Sequence, residues 1–344
     1  MSKKPDHIAV VRLSAMGDVA MLVPAVQALR EKHPQARITV VSKAFHKPIF
    51  QGIDDIDFMT AEVKGRHKGV LGMQRLAKDL KAKGVTHLAD CHNVLRSKIL
   101  RAFLRIGPVK VAVIDKGRAE KEAMCRPGAS LDKALKSSHQ RYADCLDSLG
   151  FAVNLDHFTP LTREPLPSKI VESLEGWSGK LLGIAPFAAF DSKAYDEDLM
   201  RLVLEGLSER KDLKILLFGG PNEVEQLQNM SDGLVHVVVV AGKLKFDQEL
   251  ALISNLDGML AMDSGNGHLA ANFGIPVMTI WGVTHPYLGF APFGQKSENW
   301  LLPDLEKFPA IPTSVYGKSY PKGYESAINS ILPNQVIDLI NKII

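Results

Sequence analysis

The chain has 344 residues, 46% of them hydrophobic and 23% charged, with a mean hydropathy near zero, a length that favours two domains over one core. No stretch reaches the roughly 18 to 20 uninterrupted apolar residues of a membrane span, and the opening MSKKPDHIAVVRL breaks its apolar run at Arg12, short of a secretory leader. Cys91, Cys125 and Cys145 are odd in number and widely spaced, which argues against a disulfide framework or zinc site and for a reducing cytoplasm.

The net charge is only +4, but it is unevenly spread. Between Lys64 and Lys121 there are fifteen lysines and arginines against Asp79, Asp90, Asp115 and Glu120. A charge run is most simply a solvated face. A bias this strong across two helices and the following loop points to an anionic partner: a phosphorylated substrate, a membrane surface or a nucleic acid. Nucleic acid is the weakest of the three, because aromatics are nearly absent from the stretch and no binding motif accompanies it.

In chain order, HIAVVRL (7–13) and ARITVVS (36–42) read as buried strands, continuous and β-branched. Between them Leu22, Ala25, Val26 and Leu29 repeat at helical spacing, with Pro24 confined to the first turn. An amphipathic helix over 70–83, a strand at VTHLADC (85–91), a helix through VLRSKILRAFL, a strand at VKVAVI (109–114) and a helix over 139–150 follow. Pro160, Pro165, Pro167, Gly176 and Gly179 interrupt the rhythm, which sets a first domain over 1–163 and a linker over 164–179. The alternation then resumes over 180–282, with strands at 180–187, 213–220, 234–242, 257–262 and 276–282 and helices at 196–210, 222–230, 247–254 and 266–273. The second domain is expected over 180–332, its tail 283–325 irregular, and a terminal helix over 333–344 is expected to pack back toward the first domain. Strands alternating with helices give parallel sheets, so the fold class is α/β with two doubly wound domains.

In such sheets ligands sit beyond the carboxyl ends of strands. Four loops there carry chemical groups. VVRLSAMGDVA (10–20) sets Asp18 where strand gives way to helix. It lacks G-x-G-x-x-G, so a dinucleotide site is not expected, and Asp18 reads either as a helix cap or as a base able to take a hydroxyl's proton. AMDSGNGHLAANFGIP (261–276) runs from Asp263 through a small-residue turn into a helix carrying His268. That is a turn a phosphate can approach closely, at a helix end of positive potential. APFAAFDSKAY (185–195) offers Lys193, and FGGPNEVE (218–225) reads as a capped turn with at most a supporting role.

Taken together these stretches resemble glycosyltransferase family 9, the ADP-heptose:lipopolysaccharide heptosyltransferases. VVRLSAMGDVAMLVPAVQALREKHP is similar to the family's R-L-S-x-x-G-D opening, and HLADCHNVLRSKILRAF to its D-x-x-x-x-x-R-S segment. DKGRAEKE is similar to the basic loop after it. The segment DSGNGHLAANFGIP with WGVTHP resembles its most diagnostic stretch, D-[ST]-G-x-x-H-L-A-A-x-x-G-x-P followed by W/F-G-x-T. The resemblance implies a GT-B fold and an inverting, metal-independent transfer with no cofactor beyond a nucleotide-sugar donor, ADP-heptose. It implies Asp18 as general base and Lys193 on the donor diphosphate. Ser264, Gly265, Asn266 and His268 would lie around the departing diphosphate, with Asp263 in the same motif, and Asp247, or Glu249 beside it, near the nucleoside.

The acceptor it implies is an anionic lipopolysaccharide core, for which Lys64, Arg66, Lys68, Arg96, Lys116, Arg118 and Lys121 are candidates, on an enzyme placed in the cytoplasm and peripheral to the inner membrane surface. Relatives carry cysteines near 311–331 where this chain has none, and Asp191, Asn266 and Gly267 stand where other residues are frequent. A nucleotide-sugar epimerase and a catalytically silent nucleotide-sugar-binding protein are the competing readings.

Overall fold

The computed structural model describes residues 5–344. The chain forms two units. The first runs to Lys116 and takes up the chain again over Ser137–Thr159; the second comprises Gly117–Lys136 and Pro160–Ile344.

The first unit holds β1 (His7–Val11), α1 (Met16–Ala20), α2 (Val23–Lys32), β2 (Arg37–Ser42), β3 (Ile56–Thr60), α3 (Gly69–Ala82), β4 (His87–Asp90), α4 (Leu95–Arg105) and β5 (Lys110–Val113). Its sheet has the order β3-β2-β1-β4-β5, every pair parallel, with Val10 opposite Val40 on one side and Ala89 on the other. Ala9 and Val11 alternate onto the face covered by α3 and α4, where Leu76, Leu80, Leu100 and Leu104 complete a dry cluster. Pro24 falls in the first turn of α2, where its missing N–H costs nothing. The edge strand β3 was not anticipated. Its sequence IDFMT is half-buried throughout and lacks the continuous apolar run of the interior strands.

After β5 the chain enters the second unit as α5 (Arg118–Met124), then returns to the first as α6 (Ser138–Asp147), capped by Ser137 accepting from the Gln140 amide at 3.1 Å. The domain expected over 1–163 is thus interrupted. The intervening segment is tied to the second unit by the Leu135 N–H donating to the Tyr287 carbonyl (2.9 Å) and by Lys121 Nζ 3.8 Å above the Phe290 ring.

The second unit continues with α7 (Ser168–Ser173), β6 (Lys180–Ala185), α8 (Glu197–Ser208), β7 (Leu213–Leu217), α9 (Val224–Ser231), β8 (Val237–Val239), α10 (Phe246–Ile253), β9 (Gly258–Met262), α11 (Gly265–Asn272), β10 (Val277–Ile280), β11 (Trp300–Leu301) and α12 (Pro333–Ile343). Its sheet has the order β11-β10-β9-β6-β7-β8, again all parallel. The start of the expected linker is anchored here by Glu164 N–H donating to the Ser254 hydroxyl, and Leu161 just ahead of it donates its N–H to the Asn272 carbonyl.

The terminal helix belongs to this unit. Val336 and Ile340 are fully buried in the cluster that includes Leu204 and Leu207 of α8. Gly206 is what permits the approach, since a Cβ there would stand 2.6 Å from Ile337 Cδ1. The tail over 283–325 is irregular as expected, organised on a small cluster of Val283, Phe308, Ile311 and Ala327. No helix among the described residues is long and apolar enough to cross a membrane.

Candidate active site

In the first unit, α1 begins just beyond the carboxyl end of β1 and carries Asp18 in its first turn. Asp18 Oδ2 accepts from the Ala15 N–H at 3.2 Å, so the side chain does satisfy an orphan donor of the helix start. The same oxygen lies 2.5 Å from Arg12 Nη2. Both contacts fall on Oδ2, and the side chain keeps 31% of its surface exposed.

Arg12 is a site residue that reading the sequence missed. It is 5% exposed, its Nη1 donates to the Cys91 carbonyl at 2.9 Å, and its guanidinium carbon sits 6.0 Å from the Tyr142 ring centroid. Burial by itself lowers the Arg12 pKa, but the Tyr142 hydroxyl and the Asp18 carboxylate outweigh it and raise the group above its ordinary value. Tyr142 in turn donates its hydroxyl to the Asp18 carbonyl at 3.0 Å.

The neighbouring histidines are held neutral. His92 is pushed down to about 3 by burial, then by Arg12 and Lys116, and its Nδ1 accepts from the Leu13 N–H at 3.4 Å. His46 is pushed down to about 4 by burial and Lys43, and contacts the Ser42 hydroxyl, which donates to the Arg12 carbonyl. Asp90 is fully buried. It accepts from the His92 and Asn93 amides and pairs with Arg101 at 2.9 Å, so it builds the turn that supports Arg12 through Cys91.

The candidate acceptor cations divide. Lys64, Lys68 and Arg96 are exposed and make no ion pair among the described residues. Arg66 is exposed but engaged bidentately with Asp79 at 2.6 and 2.8 Å. Lys116 is half-buried in the first unit, and Arg118 is exposed in the second. Lys121, expected on that surface, is 4% exposed and spent on the Phe290 ring, because α5 turns this side inward.

In the second unit, β9 delivers Asp263 to the start of α11. Lys193 Nζ lies 2.9 Å from Asp263 Oδ2, with the two side chains 11% and 10% exposed. Thr284 donates its hydroxyl to the same oxygen at 2.8 Å. Two glycines allow this meeting. A Cβ on Gly282 would stand 2.0 Å from the Ser192 carbonyl oxygen, so only glycine lets the loop of Lys193 seat beside β10. Gly317, at φ +77°, would place a Cβ 2.8 Å from Lys193 Cδ, and its carbonyl accepts from Ser192 Oγ at 2.5 Å. Thr284 and Gly282 lie in the W/F-G-x-T element of the sequence, where the Gly-x-Thr spacing was their only signal.

Ser264 is the N-cap residue of α11 yet its side chain makes no capping bond, and Gly265 and Asn266 open the helix with their N–H groups at its positive end. Gly267 fits under a close ceiling, its Cβ position 3.2 Å from Val277 Cγ1. His268 is 6% exposed. Of the two acidic candidates on α10, Asp247 is exposed, whereas Glu249 is half-buried and pushed up to about 7 by that burial. A lysine, a carboxylate, a threonine and free helix amides at a strand's carboxyl end make a seat for a phosphate-bearing ligand. No cluster of three metal-ligating side chains occurs among the described residues.

Known proteins share this fold. The lipopolysaccharide core heptosyltransferase OpsX of Haemophilus influenzae is 26% identical over 306 residues, covering 85% of this chain and 83% of that protein. The solved glycosyl transferase family 9 structure from Veillonella parvula superposes with a TM-score of 0.76 at 19% identity, covering 100% and 98% of the two chains. The heptosyltransferase WaaC of E. coli with ADP-2-deoxy-2-fluoro heptose superposes at 0.70 and 17% identity, covering 98% and 99%. The fold is that of the GT-B heptosyltransferases. Residues 73–314 match glycosyltransferase family 9 (heptosyltransferase), and the chain belongs to that family of glycosyltransferases.

Proposed function

We propose that this enzyme moves a heptose from ADP-heptose to a hydroxyl of a lipopolysaccharide core acceptor, with inversion at the anomeric carbon. The observation that carries the reading is the Lys193–Asp263–Thr284 cluster at the amide end of α11. As the glycosidic bond to the diphosphate breaks, negative charge grows on the leaving oxygens. Lys193 and the N–H groups of Gly265 and Asn266 supply fixed positive potential there, with Ser264 and His268 alongside and Asp263 holding Lys193 in register. Asp247 or Glu249 takes the nucleoside. No step calls on a metal ion, so transfer should persist in chelator.

The acceptor hydroxyl attacks the opposite face of the sugar and must lose its proton. Asp18 is the carboxylate for that task, oriented through Oδ2 by Arg12 and the Ala15 amide. Exposed Lys64, Lys68 and Arg96, with Lys116 and Arg118, fit an acceptor rich in carboxylate and phosphate. The relatives support this assignment: OpsX is a core heptosyltransferase and WaaC is described with an ADP-heptose analogue. The test is incubation with ADP-heptose and a panel of truncated core acceptors, read by product mass. Conversion of ADP-heptose without any acceptor would favour an epimerase instead.

A further inference from the structure

The Lys193 ammonium is already engaged, paired with Asp263 at 2.9 Å. Asp191, exposed two residues before it, adds another carboxylate to the same short helical turn. One cation against two carboxylates leaves this part of the seat negative, where a diphosphate brings further negative charge. Like charges in so small a site are costly unless another cation offsets them.

A lysine stands on the neighbouring segment. Ser192 donates its hydroxyl to the Gly317 carbonyl at 2.5 Å, and the backbone of Gly317 lies against the aliphatic stem of Lys193. The segment is pinned on both flanks of that glycine. Ahead of it, the Tyr316 ring packs on Phe290 with centroids 5.9 Å apart, and the Thr313 N–H donates to the Val283 carbonyl at 2.9 Å. Behind it, the Ser319 carbonyl accepts from the Thr313 hydroxyl at 2.8 Å. Lys318 is thereby held next to a residue that touches Lys193.

The Lys318 side chain turns toward the same loop. Its Nζ lies 5.6 Å from the centroid of the Phe190 ring, and the Phe190 carbonyl accepts the Lys193 N–H at 2.9 Å. Lys318 is exposed and makes no ion pair among the described residues. A cation resting on an aromatic face keeps its N–H donors for another partner.

Strand order indicates which phosphate it meets. The sheet runs β11-β10-β9-β6-β7-β8. Helix α10, with Asp247 and Glu249, follows β8 at one edge. Thr313 hangs from Val283, just past β10 toward the other edge, and Phe190 lies beyond β6 between them. With the nucleoside at α10, Lys318 stands toward the far end of the diphosphate, at the phosphate that carries the sugar.

We infer that Lys318 is a second cation of the diphosphate seat, placed on the sugar-bearing phosphate. This rests on the nucleotide-sugar reading above and adds a residue to that site. Lys318 offsets the two carboxylates around Lys193 and meets the charge that grows on the leaving oxygens. The test is calorimetric binding of ADP and of AMP to the full chain, as wild type and as Lys318→Met. Wild type should prefer ADP. In Lys318→Met the ADP affinity should fall by about tenfold, while the AMP affinity changes by less than about twofold, which also shows that the variant folds. Unchanged ADP affinity in the variant overturns the proposal. Equal losses for ADP and AMP, the mark of a merely structural role, overturn it too, as does a wild type that binds ADP no more tightly than AMP. A wild type whose ADP preference is lost in Lys318→Met, yet which transfers no heptose to a core acceptor, counts against the transfer reading alone and leaves Lys318 on the diphosphate.

Discussion

Arg12 Nη2 stands 2.5 Å from Asp18 Oδ2, and the guanidinium that holds this carboxylate is itself almost wholly buried. Its other amino group is fixed by the Cys91 carbonyl at the end of β4. The first β-strand and the fourth thereby jointly set the direction of one carboxylate on α1. Capping and proton transfer are compatible on this geometry, since the cap and the ion pair share one oxygen of Asp18.

Asp18→Asn keeps the shape of the helix start and removes the base. Transfer should fall by roughly 10²–10⁴-fold, while ADP affinity, measured by calorimetry, stays within about twofold of wild type, because the groups proposed to seat the nucleotide belong to the other unit. Unchanged turnover would dismiss Asp18 as the base.

Arg12→Met should lower kcat by roughly ten- to a hundredfold, as expected for a misdirected catalytic group, with the donor KM little changed. A purely structural role would reduce the amount of folded enzyme without lowering kcat per folded molecule. Arg12→Lys should recover part of the rate.

Lys193→Met should slow transfer by roughly 10²–10³-fold and weaken ADP binding. It also leaves Asp263 largely buried without its partner, a loss of about 3–5 kcal/mol for a buried pair. Lys193→Met/Asp263→Asn should therefore regain thermal stability but not activity. Gly317→Ala tests the same seat from outside. At φ +77° and with its Cβ 2.8 Å from Lys193 Cδ, it should raise the donor KM without touching ligand.

Glu249 gives the second unit a pH-dependent stability. Burial raises its folded pKa from an ordinary 4.5 to about 7, so over that interval the folded state binds more protons than the unfolded one. Stability therefore falls as pH rises from 4.5 to about 7, by roughly 3 kcal/mol in all. Glu249→Gln should match wild type below this window and exceed it above. Denaturant unfolding across the window measures the difference, and parallel curves would contradict it.

The interior strands were legible because burial on both faces demands unbroken apolar runs, as in IAVV of β1 and LLGIA of β6. β3 escaped because an edge strand is free of that demand, and β11 because two residues carry no period. The ownership of 117–136 rests on Tyr287 and Phe290, more than a hundred residues downstream, and local pattern holds no trace of such contacts. At the site, Asp18, Lys193 and Asp263 stood out as charged groups at strand ends. Arg12 did not, since a cation closing an apolar run also reads as the place where a strand meets water. A charge run likewise does not say which cations are free: Lys68 is exposed, Arg66 is paired and Lys121 is buried.

The most direct measurement is the mass and anomeric configuration of a core acceptor after incubation with ADP-heptose, for wild type beside Asp18→Asn. One added heptose of inverted configuration and stoichiometric ADP are expected from the wild type, and neither from the variant. An unmodified acceptor, a retained configuration, or equal product from both proteins would contradict it.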